Sequence, residues 1–186
     1  MAEKPILFND EMIRAILDGR KTQTRRPIRT SGFYVETQRS IKLNYTLRYT
    51  VGDVLWVRET WKPTRCGFDD SVSYVRYRAD DTRLEIRPDI QGCMTDHWRP
   101  SIHMPRWASR ITLEVTDVVI QRIQEIRTSD IIAEGVIEDD RYLGSANRFR
   151  HPFATMWDAI YAKRGFGWDE NPWVEAVTFV VREVRG

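Results

Sequence analysis

The sequence predicts an α+β protein, a small mixed or antiparallel β-barrel decorated by helices. Three observations lead there. Segments rich in β-formers follow one another without the regular helical crossovers of a doubly wound sheet. The helical periodicities are few and short. The chain, 186 residues and 22.0 kDa, has the size of one domain carrying insertions.

Taken in order, the first element is a helix over residues 9–18. Asn9 or Asp10 can cap it, and Met12, Ile13, Ile16 and Leu17 share a face. Gly19 stands where a left-handed C-terminal residue belongs. A basic segment follows, and Pro27 stops any helical continuation. Residues 29–50 are polar with scattered aromatics and read as an irregular insertion. Gly52-Asp53 turns the chain into a strand over residues 54–61, and a second strand covers 72–78. Residues 80–107, with several Pro, Gly and His, read as a long loop. Residues 111–119 alternate as a half-buried strand. Thr128-Ser-Asp opens a short helix through Ala133 that closes near Gly135. A longer helix over 149–163 places Phe153, Met156, Trp157, Ile160 and Tyr161 on one side. A strand over 176–184 closes the order.

Composition excludes several classes. Apolar residues make up 41% and charged residues 30%, the balance of a soluble protein. The longest apolar run, residues 176–181, is too short to span a bilayer. Met-Ala-Glu-Lys-Pro lacks the basic start and apolar stretch of a secretory signal, and two cysteines do not make a disulfide scaffold. The expectation is a cytoplasmic protein with no membrane partner.

The net charge is only +2, but 24 of the 29 basic residues are Arg and five are Lys. Arginine offers a planar fork for phosphates and base edges and stacks on aromatic rings. With seven Trp and seven Tyr, the chain has the ingredients of a nucleic-acid or nucleotide surface. Pairing of those arginines with the 27 acids is the plain alternative.

The chemistry concentrates in Gly19-Arg20-Lys21-Thr22-Gln23-Thr24-Arg25-Arg26. Guanidinium forks and hydroxyls there can bind an anion. Lys21, partly buried beside Arg25 and Arg26, would lose its proton more easily and act as base for the Thr24 hydroxyl three residues on. A solvated charged turn explains the same residues without chemistry. Amide hydrolysis needs a nucleophile, a base, an acid for the leaving amine and donors for the oxyanion; Thr24, Lys21, Glu134 and Arg26 can fill these roles in turn. Thr24 is a hindered alcohol, so a Lys21-activated water is the rival nucleophile. Alternation sets Trp56, Arg58 and Thr60 on one strand face and Val57, Glu59 and Trp61 on the other. Trp61 or Trp107 can stack a base while Arg58, Arg106 or Arg110 grips phosphate; burial of the tryptophans in a core is the alternative. Cys93, His97 and His103, with Cys66, match no mechanistic zinc spacing, and the expectation is no metal and no cofactor. His103 reads as a polar residue at a barrel end. No phosphate-cradling glycine loop is present.

Gly19-x-Lys21-x-x-Thr24-x-Arg26 resembles the signature of the ASCH domain, usually Gly-x-Lys-x-x-Glu-x-Arg. The blocks Gly52-Asp53-Val-Leu-Trp-Val-Arg58-Glu59-Thr60-Trp61, Pro100-Ser-Ile-His103-Met-Pro-Arg106-Trp107-Ala-Ser109-Arg110 and Asn171-Pro-Trp-Val174 are similar to the prophage-borne branch of that family. The resemblance implies one PUA-like β-barrel domain over residues 1–186, with insertions at about 29–50 and 64–100. It implies a fold associated with RNA and modified bases, and a cleft beside the signature Lys. Thr24 stands where the family commonly has Glu. One ASCH group, amidohydrolases that remove the acetyl group from N(4)-acetylcytidine, shares Gly-Arg-Lys-Thr-x-Thr-x-Arg. Carried over, the group implies Lys21 as proton acceptor, Thr24 as nucleophile and Glu134 as proton donor. Arg25, Arg26, Arg58, Glu59, Trp61, His103, Arg106, Trp107 and Arg110 are the expected binding residues, with RNA, single-stranded nucleic acid or a nucleoside as partner. Other ASCH proteins are ribonucleases or non-catalytic nucleic-acid-binding modules, and those readings stay open here.

Overall fold

A computed structural model describes residues 3–29, 47–66, 72–86, 97–142, 145 and 147–185. The chain is mixed α+β, with eight strands in two sheets and three α-helices among the described residues. In chain order these are β1 (Glu3–Leu7), α1 (Asp10–Leu17), β2 (Gln23–Pro27), β3 (Val54–Arg58), β4 (Trp61–Cys66), β5 (Val72–Tyr77), β6 (Arg83–Ile86), β7 (Ile111–Arg122), α2 (Thr128–Ala133), α3 (Asn147–Tyr161) and β8 (Trp173–Val184). One sheet has the strand order β1-β3-β7-β8-β2 and the other β4-β5-β6; no closed ring of strands is seen among the described residues. The chain divides into two compact units. The first holds Met1–Thr22, Gly52–Val115 and Phe179–Gly186, the second Gln23–Val51 and Thr116–Thr178.

In the first unit, α1 begins as its sequence dictates. The Asn9 side chain accepts a hydrogen bond from the Met12 backbone N–H at 2.9 Å, and Ile13, Ala15 and Ile16 are buried. Gly19 follows at φ +72°, a conformation that costs glycine little. β1 runs parallel to β3, with Glu3 opposite Val54 and Leu7 opposite Arg58. β3 runs antiparallel to β7, with Leu55 opposite Leu113. The expected single strand over residues 54–61 is two strands. The chain leaves one sheet after Arg58 and enters the other at Trp61, and Val57, Glu59 and Trp61 are all buried. β4 pairs antiparallel with β5, and β5 with β6. Trp61, Val75, Tyr77, Met104 and Ala108 pack as a core cluster, joined by Leu84. The expected loop over residues 80–107 therefore contains β6, and it also forms short 3-10 turns at Ser101–His103 and Arg106–Ala108.

In the second unit, β2 pairs antiparallel with the first half of β8; Thr24 lies opposite Val177, Arg25 opposite Ala176 and Arg26 opposite Glu175. α2 is held at its start by Asp130, whose carboxylate accepts the Arg127 N–H at 3.3 Å. It ends at Gly135, φ +83°. Phe153, Trp157 and Tyr161 recur every four residues along α3 and bury one stripe. They join Ile123, Ile126, Ile131 and Val174 in one core. The Trp157 indole donates to the Phe166 carbonyl at 2.7 Å, so its polar atom is satisfied inside that core.

Candidate functional site

The second unit carries Thr24, Arg25, Arg26 and Glu134. Thr24 is 2% exposed and Glu134 is 4% exposed. Arg25 Nη1 lies 3.1 Å from Glu134 Oε1, and Nη2 lies 3.2 Å from Asp130 Oδ2. The same Nη1 donates to Gln23 Oε1 at 3.2 Å. Arg25, an expected binding residue, thus pairs with two carboxylates inside the unit. Arg26 donates to the Tyr161 hydroxyl at 3.2 Å. Across the ladder from Arg26 lies Glu175, 1% exposed, which accepts the Arg48 backbone N–H at 2.6 Å. Burial pushes the nearby Tyr49 phenol above its ordinary value of 10.0, although Arg26 and Arg48 pull it back in part. Gln23, Tyr49, Asp130, Tyr161 and Glu175 were not among the expected site residues. Only alternation along β2 could have flagged Gln23, and that needed the segment to be recognised as a strand.

Lys21 belongs to the first unit. It is 1% exposed, and its ammonium lies 5.6 Å from the centroid of the Phe8 ring. Its backbone N–H donates to Ala15 at 2.9 Å, folding the chain back over the end of α1.

Glu59 and Arg110 also lie in the first unit and form a buried bidentate pair, at 2.9 and 2.8 Å. Arg110 donates further to Asp80 at 2.8 Å and to the Thr82 hydroxyl, and its guanidinium sits 4.1 Å from the Tyr77 ring centroid. Burial raises the Glu59 carboxyl above its ordinary 4.5; Arg110 recovers only part of the shift. Burial pushes Asp80 up too, but hydrogen bonds from Arg110 and Thr82 more than offset that, so it sits below 3.8. Burial alone would lower Arg110, yet Glu59 and Asp80 raise it.

The remaining expected binding residues are placed in the first unit as follows. Trp61 is 1% exposed and meets Trp107 edge to face at 5.7 Å, so its ring faces are held in the core. Trp107 is 37% exposed. Arg58 donates to the Ile102 carbonyl and lies over the Trp56 ring. Arg106 pairs with Glu3 at 3.1 and 3.0 Å, on the surface. His103 is exposed in its 3-10 turn. The Cys93 part of the metal reading lies outside the described residues, as does the Cys66 side chain. Among the described residues no group of three or more His, Cys, Asp or Glu could hold a metal ion. No described helix is long and apolar enough to cross a membrane.

No family model matches the chain, and no curated protein matches it. Among solved structures, the chain is similar to protein EF3133 from Enterococcus faecalis V583, described under DUF984, with TM-score 0.48 and 11% identity, covering 99% of this chain and 82% of that one. It is also similar to an ASCH domain from Lactobacillus crispatus JV V101, with TM-score 0.46 and 12% identity, covering 97% and 79%.

Proposed function

We propose that this protein is an ASCH-type hydrolase that recognises RNA or a modified nucleoside and cleaves an acyl-amide on a pyrimidine base, as in N(4)-acetylcytidine. The carrying observation is the Arg25–Glu134 ion pair, which joins the signature segment on β2 to an acid 109 residues away. That acid is the one the signature group needs. Burial of Lys21 and Thr24, at 1% and 2% exposure, supports the same reading. A buried hydroxyl is spared competition from bulk water.

In this reading the Thr24 oxygen attacks the acetyl carbonyl and gives up its hydroxyl proton to a base, the role the resemblance assigns to Lys21. Arg26 stabilises the oxyanion, and the Glu134 carboxylate relays the proton released by Thr24 to the departing amine as the C–N bond breaks, releasing cytidine. Water then hydrolyses the acetyl ester on Thr24 to acetate and restores the hydroxyl. The test is incubation with N(4)-acetylcytidine and chromatography of the products. Cytidine should form, and Lys21→Met should lower turnover by about 10²–10⁴. Absence of cytidine, or unchanged turnover in Lys21→Met, overturns the proposal.

A further inference from the structure

Arg25 has no task in that chemistry, yet it is buried and pairs with two carboxylates of the second unit. On β2, Gln23 and Arg25 stand two residues apart, so alternation sets them on one side of the strand. The residue directly across from Arg25 is Ala176, the smallest side chain of β8. The guanidinium fork takes Glu134 on one prong and Asp130 on the other, at 3.1 and 3.2 Å. Those two acids are four residues apart, one helical turn, so the fork spans a single turn of α2. Gln23 braces the Glu134 prong at 3.2 Å and is itself tied to the Thr178 hydroxyl at 3.2 Å, its partner across the ladder. A continuous line of hydrogen bonds therefore runs from β8 through Gln23 and Arg25 to Glu134.

Glu134 needs such a brace. It is the residue that closes α2, where the last carbonyls make a carboxylate unwelcome. A terminal glutamate also samples several rotamers unless something selects one. We infer that Arg25 is a positioning residue, whose fork fixes the place and orientation of the Glu134 carboxylate for the reaction proposed above. The catalytic half of this inference rests on that reading; the clamp itself does not. Lysine, a single point charge, can meet one of the two acids but cannot fork across both.

The test compares Arg25→Met and Arg25→Lys in two measurements, N(4)-acetylcytidine kinetics and amide hydrogen exchange. Arg25→Met should lower kcat at least about tenfold with KM within about twofold, and Arg25→Lys should recover part of the loss. Both variants should speed exchange over residues 128–135 more than over Asn147–Tyr161. A raised KM with unchanged kcat would make Arg25 a substrate contact and overturn the inference. So would kcat losses that merely track lower thermal stability in both variants. If the unaltered protein shows no turnover, the proposed reaction fails by itself. Exchange then decides the clamp, selective opening of residues 128–135 supporting it and unaltered exchange overturning it.

Discussion

Glu59 is buried completely and is tolerated because Arg110 meets both its oxygens. Such a pair adds little net stability over an apolar core, but breaking it strands a charge. Arg110→Met should cost about 3–5 kcal/mol at neutral pH. The pH dependence has a definite sign. Glu59 sits above its ordinary 4.5 in the folded state, so its proton favours folding: that contribution is full below 4.5 and is lost as pH rises through the raised folded value. Without Arg110 that penalty at high pH grows. Asp80 sits below 3.8, so its contribution is full above 3.8 and is lost as pH falls; it too depends on Arg110. Both effects make the stability gap between the variant and the unaltered protein narrow toward acid. Denaturant titrations at about pH 7 and about pH 4.5 read the Glu59 part and a third at about pH 3 the Asp80 part, and an equal gap at all three would contradict it. The same burial explains why Glu59, Trp61 and Arg110 suggested a binding face in the sequence. Charged and aromatic side chains look alike on paper whether they meet a ligand or one another.

At the scale of elements, α1 was legible because its signals are local. The Asn9 cap, the apolar face and Gly19 all act within a turn of their own position. Asn9→Ala should cost about 1 kcal/mol by orphaning the Met12 N–H, and Gly19→Ala about the same. A methyl at Gly19 would meet nothing within 4 Å, so that second cost is purely one of backbone conformation at φ +72°. Thermal unfolding of the two variants measures both, and a stabilised Gly19→Ala would refute the argument. The strands that escaped sequence reading share a place in the fold. β1 and β2 are the two edges of the five-stranded sheet, and β6 is an edge of the other. Edge strands accept proline and polar residues because one rim of their backbone needs no partner. Pro5 in β1, Pro27 in β2 and the alternating Arg-Leu-Glu-Ile of β6 all follow that rule. The alternation of β2 is invisible until the segment is known to be a strand, so the sequence does not tell that Arg25 meets an acid while Arg26 meets Tyr161.

For the whole molecule, the charge balance separates two modes of action. A free nucleoside carries no phosphate, so its hydrolysis should change little between about 50 and 200 mM salt. A single strand held by several arginines should lose affinity steeply over the same range, about 10²–10⁴ for six to ten phosphate contacts. Activity assays and oligonucleotide binding across that range tell which mode dominates; salt-sensitive nucleoside turnover would count against the single-nucleoside pocket. Each unit is also assembled from segments far apart in the chain. Gln23 and Thr178, 155 residues apart, bond across one ladder.

The sequence by itself determined the α+β class, the capped first helix, the buried stripe of α3 and the Lys-x-x-Thr spacing, because periodicity and capping are properties of neighbouring residues. Only the tertiary structure decided that Arg25 faces Glu134 and Asp130, that Glu59 is spent on Arg110, and that Trp61 lies in a core. Those ion-pair partners are 109, 105 and 51 residues away, and Trp61 packs with residues as distant as Met104 and Ala108. No local pattern encodes which distant charge a buried guanidinium will find.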